Sequence, residues 1–158
     1  MVEQWAVATE VLATLAMKIG PLDEDGLDLM YTIGEDNKVR DVEGWAIPTK
    51  FRSSMQRACH GIDGRFKTNM TETLQKVFDK YWRNISKRMT LIILTDGLWE
   101  GCAQENDVQN LIAGFITKLK ARLNKTEKRW FSIQFVYFGE NKNAIQRLQD
   151  LDDNMPIK

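Results

Sequence analysis

Met89-Thr90-Leu91-Ile92-Ile93-Leu94-Thr95-Asp96-Gly97 constrains this chain more than any other stretch. An unbroken apolar run that stops abruptly at Asp-Gly predicts a strand buried on both faces, delivering one carboxylate to the carboxyl edge of a sheet. Open α/β sheets keep their ligands at that edge. What accompanies Asp96 there decides what the chain can do.

Upstream, Met1, Trp5, Ala8, Leu12, Leu15 and Ile19 alternate at spacings of four and three, predicting one apolar stripe along a helix that Gly20-Pro21 ends. The acidic turn Asp23-Glu24-Asp25-Gly26 leads into a strand over Leu27–Ile33. It resembles a calcium loop only superficially, because its glycine comes too early and no glutamate closes it. Gly34-Glu35-Asp36-Asn37 is a turn signal, and Lys38 to Val42 predicts a short antiparallel edge strand. A helix begun by Pro48 covers 48–60 and is interrupted by Gly61, Asp63 and Gly64.

Met70, Leu74, Val77, Phe78 and Tyr81 predict a second amphipathic helix from about Asn69 to Asn84, just before the 89–95 strand. Val108, Leu111, Ile112, Phe115, Leu119 and Leu123 mark a third, entered through Asn106-Asp107 as cap residues. Trp130 to Phe138 is another strand, terminated by Gly139, and Ala144, Ile145, Leu148 and Leu151 form a last helix. Helices alternating with apolar strands predict a doubly wound α/β sheet of mostly parallel strands, in one domain without repeat or linker.

The chain has 158 residues, with 22 basic against 22 acidic, so no global field recruits nucleic acid or an anionic membrane. Its densest basic run, Lys118 to Arg129, falls at a helix carboxyl end, where cations suit the dipole, and no aromatic interleaves it as a stacking platform requires. Cys59 and Cys102 make neither a disulfide framework nor a metal cluster and read as reduced thiols. Residues 1–19 contain Glu3, Glu10 and Lys18 and lack a basic start, so neither a signal peptide nor a membrane span is expected. An intracellular, cytoplasmic protein is the expectation. The Asn-x-Ser/Thr tripeptides at Asn69, Asn84 and Asn124 matter only in a secreted chain.

Nucleophile chemistry has little to stand on. His60 is the single histidine and adjoins Cys59, and neighbours on a helix point apart, so they cannot form a dyad. There is no Gly-x-Ser-x-Gly elbow and no glycine-rich phosphate loop. Asp96 is different, because a carboxylate at the tip of a buried strand must be hydrogen-bonded or bind a cation. Thr68, in the loop before the second amphipathic helix, supplies a hydroxyl at the same sheet edge for a hard divalent ion. Equally, Asp96 can begin a turn with Gly97 while Thr68 caps the helix at Asn69 or Met70. Spacing alone leaves both readings open.

Ile93-Leu94-Thr95-Asp96-Gly97, Thr68 before a helix, and Gln134 to Gly139 with Arg147-Leu148-x-x-Leu151-Asp152-Asp153 together resemble a von Willebrand factor A domain, of the intracellular type seen in fungal proteins. The similarity covers nearly the whole chain and rests on the order and spacing of motifs that are individually weak. It implies a three-layer, doubly wound, Rossmann-like sheet with helices on both faces. It also implies a metal-ion-dependent adhesion site, built from Asp-x-Ser-x-Ser after the first strand, a threonine that falls on Thr68 and an aspartate that falls on Asp96.

The Asp-x-Ser-x-Ser strand has no counterpart, and Met1 and Trp5 resemble positions just after it, so the expectation is a truncated domain that also lacks the family's last strand. Without the central first strand, strands 27–33 and 89–95 lose a partner, at about 1–3 kcal/mol for each buried unpaired backbone group. Mg²⁺ or Mn²⁺ is then expected to bind weakly or not at all, with Thr68 and Asp96 as the metal residues.

The implied function is a protein-protein interaction module with a degenerate or incomplete adhesion site and an unidentified protein partner, not an enzyme. Two alternatives stand beside it. One is an α/β hydrolase or phosphotransferase using Asp96, for which Glu100 is the nearest second carboxylate although Trp99-Glu100-Gly101 reads as loop-shaping. The other is a metal-independent scaffold with an apolar helix face for its interface.

Overall fold

The computed structural model describes residues 4–22, 27–32, 37–39, 47–61, 67–104, 106–123 and 130–155. The acidic turn at 23–26, most of the 34–37 turn, residues 40–42, the glycines' loop at 62–66, and Asn124 to Arg129 of the basic run lie outside them. So do Met1 and the His60 side chain. The protein is α/β, and it divides into two compact units, Met1–Phe66 and Lys67–Lys158.

In the first unit, helix α1 (Trp5–Ile19) continues into a single 3-10 turn at Gly20–Leu22. Its buried residues are Ala8, Ala13 and Ala16, while Trp5, Leu12, Leu15 and Ile19 of the expected stripe are half-buried. Small side chains let α1 lie close to α2 (Ile47–Gly61), which contributes the buried Phe51, Ser54 and Met55. The Trp5 indole N–H donates to the Met55 carbonyl at 3.0 Å, and Arg52 makes two hydrogen bonds to the Glu10 carboxylate. Ala16 and Phe51 form a small core with Leu12, Leu27 and Leu29 against it.

By length and composition Trp5–Leu22, with mean hydropathy 1.2, also suffices to cross a membrane, a property the sequence reading does not grant it. The core helix of a soluble protein and a signal sequence pass the same test.

Strand β1 (Leu27–Leu29) pairs antiparallel with β2 (Asn37–Val39). β1 is shorter than the apolar run to Ile33 predicts. Met30 and Tyr31 leave the strand, and the Tyr31 hydroxyl turns to Ser54 of α2 at 3.2 Å.

The second unit runs α3 (Met70–Trp82), β3 (Met89–Thr95), α4 (Asp107–Leu123), β4 (Phe131–Tyr137) and α5 (Lys142–Asp153). Asn69 caps α3 by accepting from the Glu72 amide, and Asn141 caps α5 by accepting from Asn143 and Ala144. β3 and β4 are parallel and pair over their full lengths, Met89 with Phe131 through Thr95 with Tyr137. Among the described residues each strand has only this partner, so β3 is half-buried at Leu91, Ile92 and Leu94 and buried only at Ile93 and Thr95.

An aromatic cluster joins α3, α4 and β4. Phe78 and Phe115 stack with centroids 3.9 Å apart, and Phe131 meets Phe115 and Tyr81 edge-on at 4.8 and 4.9 Å. Such pairs add to the area they bury. At the start of β3, Tyr81 donates to the Lys87 carbonyl and Trp130 to that of Ile85. On the way to α5, β4 borders an open groove of about 740 Å³ lined by Ile112, Ile116, Phe135, Ile145 and Leu148.

Candidate functional site

The carboxyl end of β3 is built on Thr95, a buried residue whose hydroxyl oxygen accepts from the Gly97 amide and from the Trp99 indole N–H, both at 3.0 Å. Its carbonyl accepts from Phe138 beyond the end of β4 at 2.9 Å. A buried hydroxyl with two donors aimed at it is satisfied and holds the turn in one shape.

Asp96 follows, half-buried, and its Oδ1 accepts from the Leu98 amide at 3.1 Å. That bond is the turn expected of Asp before Gly. Gly97 adopts φ 68°, which a residue with a side chain reaches at a cost, and it packs on Ala144 of α5. From the same helix Arg147 donates Nη1 to the Gly97 carbonyl at 2.7 Å, with its guanidinium 5.5 Å above the Trp99 ring. Trp99 is buried, 6.1 Å from Phe135.

The loop then reaches Thr68. Gly101 donates its amide to the Thr68 carbonyl at 2.9 Å, and a Cβ on Gly101 would lie 2.9 Å from that same carbonyl group. Thr71 donates to the Cys102 sulfur at 3.3 Å, tying the loop to the first turn of α3. The loops carrying Thr68 and Asp96 therefore meet at one end of the sheet. The helix cap beside them is Asn69, not Thr68. Glu100 is exposed, and its neighbours Trp99 and Gly101 are the residues that shape the loop.

The oxygen ligands that the sequence reading places at this edge are the Asp96 carboxylate and the Thr68 hydroxyl. Among the described residues no group of three or more His, Cys, Asp or Glu side chains converges. Asp96 offers one carboxylate, already engaged by an amide, and Thr68 one neutral hydroxyl. Mg²⁺ with these two ligands keeps most of its water. Cys59 and Cys102 are free thiols, each half-buried.

Trp99 and Arg147 hold the site together; Trp99 belongs to the segment that reads as loop-shaping from sequence, and Arg147 enters the sequence reading only within the Arg147-Leu148-x-x-Leu151 motif. The available signal for Trp99 is a large aromatic between Gly97 and Gly101, four residues past the end of a strand. The bond that Arg147 makes has none, since its acceptor is a backbone carbonyl. Comparison with protein-family models, with curated proteins and with solved structures finds no match for the chain.

Proposed function

We propose that this chain is a protein-protein interaction module of the von Willebrand factor A type, with a contact edge at the carboxyl end of β3 and an incomplete metal-ion-dependent adhesion site represented by Thr68 and Asp96. The observation that carries the reading is the 2.9 Å bond from the Gly101 amide to the Thr68 carbonyl, which draws the threonine loop and the aspartate loop together. The parallel β3–α4–β4 unit is consistent with part of a three-layer, doubly wound sheet. A role in recognition rather than turnover follows from this reading, with the Asp96 carboxylate and the Thr68 hydroxyl as its contact groups. Free cysteines suit an intracellular setting.

Calorimetric titration of the purified chain with Mg²⁺ and Mn²⁺ tests the state of the site. No binding tighter than about millimolar is expected from so few ligands. A micromolar site removed by Asp96→Ala would mean that the adhesion site is complete. Fusing an upstream strand ending in Asp-x-Ser-x-Ser should raise both Mn²⁺ affinity and solubility; an unchanged protein would count against the family assignment.

A further inference from the structure

We infer that Arg147 is the positioning residue for the Asp96 carboxylate, acting through a single shared peptide group. The inference rests on the reading of Asp96 as a contact residue of the module. The Gly97–Leu98 peptide is engaged at both ends: its carbonyl accepts Nη1 of Arg147 at 2.7 Å, and its N–H donates to Asp96 Oδ1 at 3.1 Å. A peptide unit is planar and rigid, so fixing the carbonyl direction fixes the direction of the N–H on its other side. The guanidinium thereby bears on where the Asp96 oxygen is held.

Arg147 is itself placed from two sides. Its guanidinium lies 5.5 Å over the Trp99 ring, whose indole N–H is anchored on Thr95. One helical turn earlier Ala144 presses on Gly97, so positions 144 and 147 of α5 face the same turn. Charge-assisted donation to a carbonyl is stronger than a neutral bond, and a planar guanidinium can stack and donate together where an ammonium only donates.

Amide hydrogen exchange of the full chain, read by NMR at Leu98 and at the β3 amides paired with β4, tests this. In Arg147→Ala the Leu98 amide should exchange about tenfold faster, while the β3 amides change much less, because the loss is local. Arg147→Lys, which restores a donor but not the stack, should recover part of the protection.

In an Asp96→Ala background, where the Leu98 amide has already lost its acceptor, Arg147→Ala should add nothing at Leu98. Unchanged exchange at Leu98 in Arg147→Ala would overturn the inference. So would uniform acceleration across β3, the mark of a merely structural residue, or additive effects of the two substitutions. The proposed function fails separately: if a partner is found whose binding ignores Asp96→Ala, the reading of Asp96 is wrong, while the Leu98 measurement still decides what Arg147 does.

Discussion

A Cβ placed on Gly97 would lie 2.7 Å from the Cβ of Ala144, and Gly97 already sits at φ 68°. Strain and contact act in the same direction, so Gly97→Ala should destabilise the protein by about 3 kcal/mol in urea denaturation. Adding Ala144→Gly should return part of that loss despite the poorer helix propensity of glycine. The recovery, as a non-additive coupling above about 0.5 kcal/mol, checks that the two residues meet.

Trp99→Phe keeps the ring in its pocket but removes the N–H that reaches the Thr95 hydroxyl at 3.0 Å. A loss of about 1–2 kcal/mol is expected, since the hydroxyl stays buried and keeps only the Gly97 amide. Thr95→Val should cost more than Thr95→Ser, because only serine retains the oxygen both donors need. Urea midpoints of the three variants give the comparison.

Phe115 is buried and touches Phe78, Tyr81, Trp82 and Phe131. Truncation to alanine should cost about 3–5 kcal/mol, a large share of the stability of an ordinary domain. Phe115→Leu, which fills much of the space, should cost less. Circular dichroism during denaturation measures both.

Burial pushes the Tyr81 phenol above its ordinary value, offset in part by the Trp130 indole, and burial does the same to Tyr31, offset in part by Ser54. A phenol with a raised value in the folded state ionises first in the unfolded chain. Its contribution is therefore complete below about pH 10 and is lost as pH rises beyond it. Urea stability measured from pH 8 to 11 should be flat at first and then fall, and Tyr81→Phe should make the fall shallower.

Much of the second unit can be read directly from sequence. The run Met89 to Thr95 is a strand with the ends the apolar residues predict, and Asp107 opens α4 where the cap signal stands. The first unit is less legible. Apolar residues continue past Leu29, yet β2 pairs with only three residues of β1, so length of apolar run overstates length of strand. The stripe on α1 is displaced toward Ala13 and Ala16, because a close helix pair selects small side chains over large ones.

At the candidate site, Thr68 and Asp96 are visible by residue type and by their place, before a predicted helix and after a predicted strand respectively. Trp99 is visible as a loop-shaping residue, but its bond to the Thr95 hydroxyl and that of Arg147 to the Gly97 carbonyl are not, since both partners are brought to them by the fold.

The parallel pairing of β3 with β4 also sets an order in time. No tight hairpin can join parallel strands, and here the whole of α4 lies between them. Loop closure over that distance must precede the ladder, whereas α3 and α4 need only local contacts. In refolding from urea, helical ellipticity should return first, and protection of the β3 amides should follow as the slower phase. The Asp96 turn, which depends on Phe138 reaching Thr95 and on α5 reaching Gly97, is then among the last features to form.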